Sequence, residues 1–188
     1  MSYRVMFVCE DHTLDQYILR PVLKSLLNYL GKPKADVRAV TDPKLSGIGD
    51  LRRDMCSIVT RYTVVSDLLI IAVDGDCVED RQSSFEEALA QCPGHEKALV
   101  VVARQELEVW AIWGSKDELG DGWSTITQEC HPKETYFEGL AKPGDARRPD
   151  RGRTRLTSLS LGRGWRSLAQ GCPELGELEA RVRPRLST

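Results

Sequence analysis

The chain has 188 residues, of which 41% are hydrophobic and 29% charged, and its formal net charge is −2. That length fits one domain, or one domain with an appendage, and it can bury a substantial core. No apolar run approaches the roughly 20 residues of a membrane-spanning helix, and Met1 to Glu10 reads as a strand, without the length or cleavage site of a signal peptide.

Tyr3 to Cys9 is mostly apolar with little alternation, as in a strand covered on both faces. Thr13 and Gln16 stand at capping-box spacing. Leu14, Ile18, Val22, Leu26 and Leu30 recur every four residues. With Leu23 and Leu27 they predict an amphipathic helix ending at Gly31, kinked or started late by Pro21. Ala35 to Thr41 reads as a second strand with a turn at Asp42-Pro43. Gly47 and Gly49 precede Leu51, Met55, Ile58 and Val59, a second helix. Leu68 to Val73, the most apolar segment, is the third strand and runs into Asp74-Gly75-Asp76.

Ser83 and Ser84 pair with Glu86 and Glu87 in two overlapping capping boxes, predicting a short helix over Phe85–Gln91 that closes at Pro93-Gly94. Lys97 to Ala103 reads as a fourth strand, and Glu106 to Trp113 as a helix. Strand and helix therefore alternate over about 110 residues, which predicts an α/β fold with a parallel sheet and helices on both faces. Past Gly114 the expectation is a short helix over Glu134–Leu140, a Pro/Gly/Arg-rich loop over Lys142–Arg155, and helices over Gly164–Gln170 and Glu174–Val182. The division expected is an α/β core over 1–114 and a basic C-terminal extension over 115–188 packed on it.

The charge is unevenly placed. Residues 1–141 carry 15 Lys+Arg against 23 Asp+Glu, a balance of −8; residues 142–188 carry 11 against 5, a balance of +6. Arg147, Arg148, Arg151, Arg153, Arg155, Arg163 and Arg166 fall within twenty residues. One reading is a solvated tail. The other is a phosphate-binding surface, because the planar guanidinium fork suits bidentate phosphate contact.

The six cysteines (9, 56, 77, 92, 130, 172) are scattered with no Cys-x-x-Cys pair, which points to reduced thiols and a cytoplasmic location. Cys130-His131 is the one weak hint of zinc.

The acids carry the chemistry. Glu10 follows the first strand, and Asp74 and Asp76 follow the third. Parallel strands deliver such residues to one edge of a sheet. A lone Asp at a strand end is usually a cap or turn residue. Three crowded carboxylates instead repel one another unless protons or a cation intervene. Alternate residues project alike, so Asp74 and Asp76 are expected to share one ion. Mg²⁺ or Mn²⁺ suits such oxygen ligands and keeps open positions for phosphate oxygens. A dinucleotide fold is disfavoured, since no Gly-x-Gly-x-x-Gly follows a strand.

On Glu10 and Asp74-Gly75-Asp76 the chain resembles the TOPRIM (topoisomerase–primase) domain, whose pattern is a Glu ending the first strand and an Asp-x-Asp ending the third. Ala103-Arg-Gln-Glu106-Leu-Glu108-Val-Trp110 looks like the Glu-x-Glu-Ala-Trp segment of small stand-alone TOPRIM-like proteins. Those proteins are encoded beside ATPases of the type found with overcoming-lysogenisation-defect nucleases. The resemblance covers about residues 3–113. It departs at the first motif, where Glu10-Asp11-His12-Thr13-Leu14 lacks the usual Gly and the next acid is displaced to Asp15.

The resemblance implies a metal-dependent nuclease with Glu10, Asp74 and Asp76 as catalytic ligands of Mg²⁺ or Mn²⁺. Glu106 and Glu108 are further ligands or, equally well, helix caps. Arg147, Arg148, Arg151, Arg153 and Lys133 would contact the nucleic acid, DNA or RNA. It also implies an ATPase partner and a role in antiviral defence. The altered first motif favours a second class, a non-catalytic binding or regulatory subunit of an ATPase complex.

Overall fold

The computed structural model describes residues 2–186. Four strands, β1 (Arg4–Val8), β2 (Asp36–Ala39), β3 (Leu68–Asp74) and β4 (Ala98–Ala103), form one parallel sheet in the order β2-β1-β3-β4. The register sets Phe7 beside Ala39 and Ile70, and Asp74 beside Ala103. The apolar run 68–73 becomes the central strand β3 because it is buried on both faces.

Helices cover both faces, as the alternation predicts. Phe7, Leu68, Ile70, Leu99 and Val101 face α1 (Gln16–Tyr29) and α4 (Glu108–Ile112) in one cluster; Val8, Leu69, Ile71, Val73 and Val100 face α2 (Ile48–Tyr62) and α3 (Arg81–Ala90) in the other. The free edge of β4 is closed by side chains. Gln82 Oε1 accepts the Val102 N–H at 3.0 Å, and the Arg181 guanidinium donates to the Val100 carbonyl at 2.8 Å. That removes an unpaired edge.

The C-terminal part shares the first cluster. It holds α5 (Trp123–Ile126), a π-helical turn over Lys133–Phe137 running into α6 (Glu138–Leu140), and α7 (Arg153–Gly162), α8 (Trp165–Gly171) and α9 (Pro173–Val182). Contact is close enough to require glycine. A Cβ on Gly114 would lie 2.3 Å from the Ser160 amide nitrogen, and one on Gly171 would lie 2.5 Å from the Trp113 ring. Ser160 also accepts the Gly114 N–H and donates to the Ala111 carbonyl.

Some local expectations change. The Thr13–Gln16 capping box does not form. Residues 11–14 make a separate turn, Thr13 bonds to Asp11, and α1 begins after Asp15 with Pro21 inside it. Helix α3 starts at Arg81, so Ser83 and Ser84 lie in its first turn, where Ser83 donates to the Asp80 carbonyl instead of capping. Helix α7 occupies residues where a loop had been expected up to Arg155.

The expectation of reduced thiols is also corrected. Cys56 pairs with Cys92 and Cys77 with Cys130; Cys9 and Cys172 are buried thiols. Among the described residues no helix is long and apolar enough to cross a membrane.

Candidate metal centre

The C-terminal edge of the sheet opens into a cavity of about 490 Å³. Glu10, Asp15, Asp74, Glu106 and Glu108 line it, with Lys133 and Arg153 as cations of the inner wall. Glu10 leaves β1 and Asp74 ends β3, and the two meet: Glu10 Oε1 accepts the Asp74 N–H at 3.2 Å. Asp74 Oδ1 accepts the Leu107 N–H at 2.9 Å, which locks the start of α4 to the end of β3. Asp15 Oδ2 accepts the Asp11 N–H at 3.2 Å, and Glu108 Oε1 pairs with Arg153. Asp15, Asp74 and Glu108 each keep a second oxygen that takes no hydrogen bond among the described residues, whereas the Glu10 carboxylate is also reached by the Ile48 N–H.

Crowding and burial disfavour ionisation here. Burial pushes Asp15 up to about 7, with the Glu108 charge adding to it. Burial raises Asp74 well above the usual carboxylate range, helped by Asp15, Glu108 and Glu10. Burial also raises Glu10, against the pull of the Asp74 N–H. The Cys9 thiol beneath them is raised by burial and by all of Asp15, Asp11, Asp74 and Glu10. One buried cation answers this charge. Arg153 is 2% exposed, bonds Glu108 and lies over the Phe137 ring at 5.1 Å.

The structure sorts the residues expected from sequence. Glu10, Asp74, Glu106 and Glu108 come together with Lys133. Asp76 does not line the cavity. The strand ends at Asp74, so the alternation argument stops there. Gly75 and Asp76 turn onto the Gln105 carbonyl, Asp76 takes a left-handed φ of 48°, and its exposed carboxylate pairs with Arg81 at 3.1 Å. Arg153 is likewise not on the surface with its neighbours, because it is the counter-ion of the cavity. Arg147, Arg148 and Arg151 are exposed. They border a groove shared with Asp11, His12, Thr13 and Tyr17, next to the cavity mouth.

In the sequence Asp15 stands as a displaced acid of the first motif. The turn over 11–14 carries it back into the cluster, and its spacing of five from Glu10 was the available signal.

Comparison with known proteins returns no matching family model, no matching curated protein and no matching solved structure.

Proposed function

We propose that this protein is a Mg²⁺- or Mn²⁺-dependent phosphodiesterase acting on nucleic acid, a TOPRIM-like nuclease. The observation that carries the reading is that Glu10, Asp15, Asp74 and Glu108 line one open cavity, the last three each with an uncommitted oxygen. Hard oxygen donors fit a divalent cation of this kind. The cation, when bound, would supply Lewis-acid stabilisation of a phosphoryl group.

The chain's own residues do the rest. Glu10, Asp15 and Asp74 would hold the cation by drawing together, since among the described residues no three cavity carboxylates have ligand atoms within 4.8 Å of one another. Arg153 fixes Glu108, and Lys133 stands where phosphoryl charge develops. Arg147, Arg148 and Arg151 receive the backbone phosphates at the mouth. The nucleic acid, DNA or RNA, is the substrate, and an ATPase is the partner that the resemblance implies.

One observation favours the alternative, a non-catalytic subunit of an ATPase complex: Arg153 already supplies the acids with an internal cation. Cleavage decides. Labelled single-stranded and duplex substrates are incubated with Mn²⁺, Mg²⁺ or chelator, using wild type and Asp74→Asn. Cation-dependent cleavage abolished by Asp74→Asn supports the nuclease; equal product from both proteins, or none from either, contradicts it.

A further inference from the structure

A second group of ligands lies beside the cavity. The ligand atoms of Glu106, His131 and Glu134 all fall within 4.8 Å of one another. Among the described residues no other three acidic, His or Cys side chains meet that condition, the four cavity carboxylates included. We propose that these three residues form a site for a transition-metal cation, Zn²⁺ or Mn²⁺. The inference does not depend on the nuclease reading, since it concerns binding alone.

The residue types match that class of ion. An imidazole with two carboxylates is a borderline N/O donor set, which zinc and manganese accept and calcium does not favour. Three protein ligands leave room for water or an anion at the remaining positions. The imidazole distinguishes the trio from a patch of surface acids.

Two clasps hold the ligands together before any ion arrives. Glu106, in the turn from β4 to α4, accepts the Lys133 N–H on Oε2 at 2.8 Å, which brings segment 130–134 against it. Cys130 is bonded to Cys77 in the loop after β3, which anchors the residue next to His131. Glu134 sits in the π-helical turn over Lys133–Phe137, a rare local geometry that recurs at functional sites. The His131 N–H is taken by Glu129 at 3.0 Å, but the His131 ring, the Glu134 carboxylate and Glu106 Oε1 have no hydrogen-bond partner among the described residues.

Glu106 also lines the acidic cavity, so the two positions share one residue.

The experiment is calorimetric titration of Zn²⁺ into metal-stripped, fully oxidised protein without reductant, with free thiols counted beforehand. Wild type is compared with His131→Ala, Glu134→Gln and Cys77→Ser/Cys130→Ser. In the Asp74→Asn background, which weakens the cavity, the trio predicts one Zn²⁺ per chain with at least a tenfold loss of affinity when His131→Ala or Glu134→Gln is added. His131 and Glu134 are exposed, so both variants should fold as wild type does. Asp74→Asn should keep this zinc site, which separates its failure from that of the nuclease reading. Zinc affinity that stays within twofold when His131→Ala is added to the Asp74→Asn background overturns the proposal, as does zinc binding lost only with the two cysteines.

Discussion

At the scale of single residues the cavity is a store of repulsion. Asp15, Asp74 and Glu10 are all harder to ionise in the folded chain than outside it. A carboxyl whose folded value is raised keeps its proton while the unfolded chain has lost it. Its stabilising effect is therefore full below about pH 4 and is lost as pH rises through the folded value. For Asp15, raised from 3.8 to about 7, the loss by pH 8 amounts to as much as about 4 kcal/mol. Metal-free protein should melt at progressively lower temperature from pH 4 to pH 8, and Mn²⁺ should raise Tm much more at pH 8 than at pH 5. A Tm that rises with pH over that interval would contradict this electrostatic picture. Two substitutions should move in opposite directions. Arg153→Met removes the buried counter-ion and should destabilise the metal-free protein by about 3–5 kcal/mol. Asp74→Asn removes one of the repelling charges and should leave Tm unchanged or raise it. Urea unfolding of both at pH 8 checks the pair.

At the scale of elements, the site depends on how strands end. Gly75 lies against β4: a Cβ there would stand 2.4 Å from the Arg104 carbonyl oxygen and 2.6 Å from that of Ala103. Gly75→Ala should therefore cost about 1–3 kcal/mol, the usual range for overpacking. It should also shift the amide resonances of Gln105, whose carbonyl accepts the Gly75 and Asp76 N–H groups. A variant as stable as wild type would mean that the turn yields freely. The same elements explain what was legible in the sequence. Runs such as Leu68–Val73 declare buried strands, so the parallel sheet and the positions of Glu10 and Asp74 follow directly. Asp76 leaves the strand alternation because β3 ends at Asp74, yet its charge still acts on Glu10 and raises it. Asp15 was undervalued because a turn over 11–14 separates it from Glu10. Helix α7 escaped notice because it buries Arg153, Thr157 and Ser160 along with Leu156, leaving no apolar stripe.

At the scale of the whole molecule, an acidic body meets a basic C-terminal quarter. Part of that basic charge is structural. Arg153 serves the cavity, and Arg155 pairs with the buried Asp145, which pins the Arg-rich loop. Arg147, Arg148 and Arg151 form no ion pair among the described residues and stand at the cavity mouth. If they receive phosphates, replacing all three with Gln should weaken nucleic-acid binding across sequences alike. It should also flatten the slope of log K against log salt by up to about one unit per lost contact. An unchanged slope would leave these arginines to a protein partner.

The central claim is that the carboxylates of Glu10, Asp15 and Asp74, beside the Glu108–Arg153 pair, hold a divalent cation. The most direct measurement is Mn²⁺ titration at pH 8, followed by calorimetry and by the loss of free Mn²⁺ signal in electron paramagnetic resonance. His131→Ala serves as the background, so that the Glu106–His131–Glu134 group is silenced. The account predicts one bound Mn²⁺ in that background, weakened at least tenfold when Asp74→Asn is added. No Mn²⁺ bound in the background, or Mn²⁺ bound equally well after Asp74→Asn, would contradict it.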